Sequence, residues 1–306
     1  MDFIRIIKRK FYQCIVFTFC LLFLAVAYAE EPLQKNHDGT AEQPPHKGNF
    51  SLPLSQQPGP LLGLGSNILN KNQTQLFYDT IYVNGENTYS LGAIPSALYG
   101  IRDDLSIFVD TPVDFDLKYN NNHSAGMADM SIQLEYVYYS DQTKRYTHQS
   151  TVAGNITLPT GSSGKNPPTG FGSTSYLLGT TFNRTYVEWF SFGFLGALLT
   201  TTHDATKYGD QYFYQYGLGR NIYSVPDKLI TAWMIEIDGQ YSDINKIHGS
   251  TDPNSGGNVI TATPSLWFSG QHIIVQMGAG VPVVQHLVGD QNKNDYLLTF
   301  SVGWTI

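Results

Sequence analysis

The sequence predicts an all-β fold, a transmembrane antiparallel up-and-down β-barrel of twelve strands with a flexible N-terminal segment. Three observations predict it. From about Thr74 onward, apolar and polar residues alternate with period two, and only an extended strand sorts such a pattern into two unlike faces. Most alternating segments exceed the ~5–6 residues of soluble strands and reach the ~9–11 that a tilted strand needs to cross a bilayer. The connections alternate between short turns and longer polar loops, as the two rims of an outer-membrane barrel do.

The first element lies outside the barrel. Arg5, Lys8, Arg9 and Lys10 form a basic head, Cys14 to Ala27 an apolar run, and Ala27-Tyr28-Ala29 a small-residue exit. Residues 1–29 therefore read as a cleaved secretory signal peptide. The run is shorter than the ~20 residues of a membrane-spanning helix. Both cysteines, Cys14 and Cys20, lie within it, so the exported chain would hold together without disulfides. Residues 30–72 are polar and rich in Pro and Gly, with an apolar patch at Leu61-Leu62-Gly63-Leu64. They form a leader, either a periplasmic tail or a plug in the lumen. The tail is favoured, because chain termini are ordinarily disordered.

The barrel occupies residues 73–306. Its strands are expected over 74–84, 88–101, 104–119, 128–140, 144–158, 173–183, 185–201, 209–222, 227–242, 258–268, 271–285 and 294–306. In the third strand Leu105, Ile107, Val109, Thr111, Val113, Phe115, Leu117 and Tyr119 share one face, against Ser106, Asp110, Asp114, Asp116 and Lys118. In the fourth, Met130, Ile132, Leu134, Tyr136 and Tyr138 oppose Ser131, Gln133 and Glu135. In the ninth, Leu229, Thr231, Trp233, Ile235, Ile237 and Tyr241 oppose Glu236, Asp238 and Gln240. Phe190, Phe192, Phe194 and Leu198 share a face of the seventh strand that reads as lipid-facing. The last strand alternates Tyr296, Leu298, Phe300, Val302, Trp304 and Ile306 with smaller and more polar residues. Such a closing strand is the kind that barrel-assembly machinery recognises. Short turns are expected at Arg102-Asp103, Asp141 to Thr143, Arg184, Ser224 to Pro226 and Ser269-Gly270. Long loops are expected at Asn120–Gly126, Thr160–Gly172, Asp243–Gly257 and His286–Lys293, while the first hairpin, around Asn84–Asn87, departs from the pattern by being short where a long loop belongs. An even strand count puts both ends of the barrel on the short-turn, periplasmic side.

Composition narrows the function classes. Loss of residues 1–29 removes four basic residues and one acid, moving the net charge from −7 to −10. Nucleic acid is not an expected partner, since phosphate binding needs a basic surface. Charged residues are 14% of the chain, beside 20 Tyr and 17 Phe, which suits a surface facing membrane lipid. The eight histidines are scattered without metal-ligand spacing, so neither metal nor cofactor is expected.

The acids carry more information. An acid on the lipid side would be costly. Asp110, Asp114, Asp116, Gln133, Glu135, Glu236 and Asp238 are therefore expected to face the lumen. They would line a channel wall that favours cations, or pair within a filled core. The lumen of a twelve-stranded barrel could be open, plugged or filled.

Candidate catalytic patterns are thin. His148 and Ser150 share a strand face, as a base and hydroxyl nucleophile would, but Asn155 falls on the opposite face and the pair sits near the periplasmic end. His203-Asp204 and His248 lie in loops that an outer-rim protease would use. Gly161-Ser162-Ser163-Gly164-Lys165 mimics part of a phosphate loop without its strand–loop–helix context. No enzymatic activity is expected.

Several elements in order resemble a known family. They are Tyr99-Gly100-Ile101-Arg102-Asp103-Asp104-Leu105, Thr111-Pro112-Val113, Gly126-Met127-Ala128-Asp129-Met130, Leu158-Pro159-Thr160-Gly161-Ser162 and Val281-Pro282-Val283. Residues 90–306 are thereby similar to bacterial outer-membrane barrels named for meta-pathway phenol degradation. The resemblance implies a transporter-like barrel in the cell outer membrane, taking up small hydrophobic or aromatic solutes. The alternative is a non-transporting barrel whose surface loops bind a partner, and the third reading is an outer-membrane hydrolase.

Overall fold

The structure, a computed structural model, describes residues 43–306. The signal peptide expected over residues 1–29, and residues 30–42 of the leader, lie outside the described residues. Strands dominate the chain. β1 spans Thr74–Gly85, β2 Thr88–Arg102, β3 Leu105–Asp110, β4 Val113–Tyr119, β5 Asn122–Met127 and β6 Met130–Gln142. β7 spans Tyr146–Leu158, β8 Ser175–Tyr186 and β9 Trp189–Thr200, followed by the short β10, Thr202–His203, and β11, Thr206–Lys207. β12 spans Gln211–Val225 and β13 Leu229–Ser242, with β14, Lys246–Ile247, and β15, Ser250–Thr251, in the next loop. β16 spans Gly257–Ser269, β17 Ile273–Leu287 and β18 Asn294–Thr305.

Every neighbour in the wall pairs antiparallel, and β1 pairs both β2 and β18, so the sheet closes into a twelve-stranded barrel. Closure removes the free edges that bilayers do not tolerate. The third wall strand is β3 plus β4, broken at Thr111-Pro112, where proline supplies no N–H to the ladder. The fourth is β6 plus β5, broken at Ala128-Asp129. β5 pairs with β4 on one edge, and the loop after β7 covers its other edge. There Ser124 Oγ donates to the Pro167 carbonyl at 2.6 Å and Lys165 Nζ donates to the Ala125 carbonyl.

Three local expectations are corrected. The loop expected at Asn120–Gly126 is a tight β4–β5 hairpin, with Asn120 at a φ of 55°. The turn expected at Arg184 lies instead at Val187-Glu188, because β8 continues to Tyr186. The loops after β9 and β13 build a small four-stranded sheet in the order β10-β11-β14-β15 at the long-loop rim.

The largest departure concerns the leader. Its described part is not a free tail but runs inside the barrel. Two single turns of 3₁₀ helix, Gly48–Phe50 and Leu54–Gln56, give way to an irregular chain that reaches β1. Leu52 packs with Phe190, Phe192, Ile230, Ala232, Met234, Trp267 and Ile274. These are inward side chains at the short-turn ends of their strands. The apolar core therefore sits in the lower lumen, between leader and wall.

Candidate functional site: the clasped leader in the lumen

The site is built from irregular backbone that must find hydrogen-bond partners in a barrel interior. Buried backbone groups are nearly always paired, and this stretch has no ladder of its own. The wall supplies the acceptors. On β13, Glu236 is 0% exposed. Its carboxylate accepts from the amides of Leu61 at 2.8 Å, Leu62 at 3.2 Å and Gly63 at 3.0 Å. Gln215 Oε1 on β12 accepts from Leu64 N at 2.7 Å. Glu135 on β6 is 1% exposed and accepts from Asn67 N at 3.1 Å, while Gln133 and Thr151 donate to the same carboxylate. Ser106 Oγ takes Leu69 N at 3.0 Å, and Gln149 Oε1 takes the Ser66 hydroxyl at 2.8 Å.

Leader carbonyls are bound as well. Gln276 Nε2 donates to the Gly59 carbonyl at 3.1 Å, and Ser269 Oγ to that of Gln56 at 2.8 Å. The leader thus climbs from the β8–β9 turn to the middle of the lumen at Leu61–Leu64. It then returns to the short-turn rim, where Asn72 N donates to the Gly100 carbonyl at 2.8 Å.

Glycine at 63 is what lets the apex approach its clasp. A Cβ there would stand 3.1 Å from Asp238 Oδ1, 3.3 Å from Glu236 Oε2 and 3.4 Å from Gln215 Oε1. Three acceptor oxygens converge on this point. Asp238, two residues beyond Glu236 on the same face, leaves Oδ2 buried without a hydrogen-bond partner among the described residues. The apex therefore meets a wall of carboxyl and amide oxygens.

A second inward feature is apolar. Phe190, Phe192 and Phe194 are expected to face lipid, but pairing and burial turn them into the lumen, at 1–4% exposure. Their rings lie over glycines of adjoining strands. A Cβ on Gly219 would meet Phe190 Cζ at 2.1 Å, and one on Gly217 would meet Phe192 Cζ at 2.1 Å. Ring over glycine is a recognised way to rescue a bare patch of sheet. The outward face of β9 carries Trp189, Leu195 and Leu199 instead. Both faces of this strand are apolar, so alternation could not orient it. The signal in the sequence is the glycine spacing on β12.

The remaining sequence candidates fall into two groups. Asp110 and Asp114 stand opposite Ser96 and Gly92, on the inward face of β2 that also carries Gly100. Gly100 packs against Asn70 of the leader. The Asp110 carboxylate accepts from Ser131 Oγ at 2.5 Å. Asp116 is a correction. The β2–β4 register slips between Leu91 and Gly92, and this bulge turns Asp116 and Lys118 outward and Leu117 inward. Asp116 lies on the outer face beside Tyr89, which donates to it, and His123 Nδ1, 3.1 Å away. Asp79 on β1 was missed. It pairs opposite Ser301 and faces inward, and the alternation Gln75, Phe77, Asp79 against Leu76, Tyr78 contained the signal.

The catalytic patterns gain no machinery. Ser150 Oγ lies 3.3 Å from His148 Nε2, yet Ser150 is buried, and His148 is wedged between Tyr139 and Phe182. Asn155 points away and donates to Ser131 Oγ at 2.8 Å. His203 lies 3.2 Å from Asp204 in an exposed turn. The amide of Gly161 donates to Asp129 at 2.9 Å, as part of the loop that flanks β5.

No family model and no curated protein sequence matches this chain. Solved structures do. A COG4313 outer membrane channel from Pseudomonas putida F1 superposes with a TM-score of 0.68 at 12% identity, over 80% of this chain and all of that one. LpxR from Salmonella typhimurium gives 0.44 at 9% identity, covering 75% and 99%. The outer membrane protein opdK from Pseudomonas aeruginosa gives 0.35 at 10%, covering 78% and 99%. At this identity the likeness to the first of these speaks for the barrel fold alone.

Proposed function

We propose that this chain is an outer-membrane channel for small solutes, and that its leader is the movable element of the pore. The observation that carries the reading is the clasp. The leader fills the lower lumen through scattered hydrogen bonds to wall side chains, with no strand pairing, so it can leave without opening the barrel. The solute it admits is small and mainly apolar or aromatic. The phenyl row Phe190, Phe192 and Phe194 favours that class, as does the resemblance to barrels named for meta-pathway phenol degradation. The inward acids Asp79, Asp110, Asp114 and Asp238 disfavour anions. The chain acts in the outer membrane, exported by its N-terminal signal, and no catalytic step is assigned to it.

Planar-bilayer recording tests this. The full chain is expected to conduct weakly, and a variant lacking residues 43–70 to give discrete, several-fold larger, cation-preferring steps. Equal conductance of the two would end the gating reading. The second reading, a surface barrel that binds a partner through its loops, is favoured by the β10-β11-β14-β15 sheet. It predicts silence from both proteins.

A further inference from the structure

The clasp at the leader apex is a set of acceptors that takes N–H donors. Glu236 and Gln215 hold the consecutive amides of Leu61, Leu62, Gly63 and Leu64. Asp238 stands beside them, with Oδ1 3.1 Å from the Cβ position of Gly63. It takes none of these amides, and its Oδ2 is buried without a partner among the described residues. On β16, Thr263 lies directly across the ladder from Glu236, is 0% exposed, and leaves its hydroxyl unpartnered as well. Among the described residues neither acid has an ion pair. The leader thus meets part of this acceptor set with neutral donors and brings no charge to two neighbouring carboxyl groups.

The rest of the site is aromatic, and the strand register sets it beside the acids. Phe192, Gly217 and Glu236 are neighbours in one row across β9, β12 and β13, and Phe194, Gln215 and Asp238 in the next. The Phe192 ring lies over Gly217, the one position that separates it from Glu236. It stacks on Phe190 with centroids 6.4 Å apart and planes 16° off parallel. Leu52 of the leader packs with both rings. Withdrawal of the leader uncovers the rings and the acceptors together.

We propose that this is the solute site of the channel, and that its solute is a primary amine with an aromatic or alkyl body. The assignment rests on the movable-leader reading and names the substrate class of the same lumen. An ammonium head presents three N–H donors on one compact centre, the number that Leu61, Leu62 and Gly63 supply to Glu236. It also carries the positive charge that amides lack, and charge-assisted hydrogen bonds are roughly twice as strong as neutral ones. Asp238, unused by the leader, gains a partner. The body of the solute replaces leader side chains against Phe192, where apolar burial and ring contact hold it. The leader apex is then an internal competitor for its own solute.

Hydrogen–deuterium exchange of the full chain in nanodiscs reads this competition. 2-Phenylethylamine hydrochloride is the probe, set against 2-phenylethanol and methylammonium chloride. At about ten times its Kd the amine should speed exchange at residues 61–64 about tenfold, because exchange follows the population with the leader released. The alcohol lacks the charge and methylammonium lacks the ring, so at the same concentration each should leave exchange nearly unchanged. Asp238→Asn should lose the amine response, measured against its own baseline, with heat-modifiable gel mobility reporting that the variant is folded. The comparison of solutes on the parent stands whether or not that variant folds. An equal response to the alcohol overturns the ammonium assignment, and an equal response to methylammonium overturns the aromatic or alkyl body. A retained response in folded Asp238→Asn overturns the site. No response to the amine, beside a leader-deleted protein that conducts several-fold more than the full chain, overturns this inference and leaves the channel reading standing. Equal conductance of those two proteins ends the channel reading itself.

Discussion

At the scale of single residues, Glu236 bears the heaviest hydrogen-bonding duty in the lumen. Three consecutive backbone donors depend on it, and an unsatisfied buried donor costs about 1–3 kcal/mol. Glu236→Ala should therefore release the leader apex and raise conductance toward that of the leader-deleted protein. Glu236→Gln keeps an acceptor oxygen and should fall between. The glycine at 217 is a different kind of residue. Gly217→Ala puts a methyl into the Phe192 ring, and overpacking of this kind costs about 1–3 kcal/mol. Urea unfolding from vesicles should show that loss with conductance little changed. The candidate acids were largely legible as residues, since a period-two pattern with acids on one face can place them only away from lipid. Asp116 was not, because one bulged residue inverts every later side chain on its strand.

Among the elements, the irregular ones separate stable parts of the wall from conditional ones. β5 has strand pairing on one edge and a loop on the other, and Lys165 spans that contact to the Ala125 carbonyl. Lys165→Ala should speed amide exchange in residues 122–127, with little change in β7 and β8, whose ladders are complete. Equal exchange in the parent and the variant would show that Lys165 does not hold this edge. The strands themselves were legible to within a few residues, because their alternation and length are local properties. The β4–β5 hairpin was hidden, since Asn120–Gly126 is polar enough to read as a loop.

For the whole molecule, the barrel and the leader meet different physical demands. The wall satisfies its backbone by closure and can stand alone. The leader satisfies its backbone by borrowing side chains from the wall, so deleting it should leave a folded, heat-modifiable barrel, and loss of that property would contradict a separable plug. By itself the sequence determined the closed antiparallel sheet and its strand count. Both follow from a two-residue period and from the cost of unpaired polar groups in hydrocarbon. Only the tertiary structure decided that the leader enters the lumen, that the phenyl row faces inward, and that Asp116 faces out. An irregular segment has no period to read. A strand apolar on both sides has no preferred face until its neighbours offer glycines. A bulge is set by the register between two strands, which neither strand contains alone.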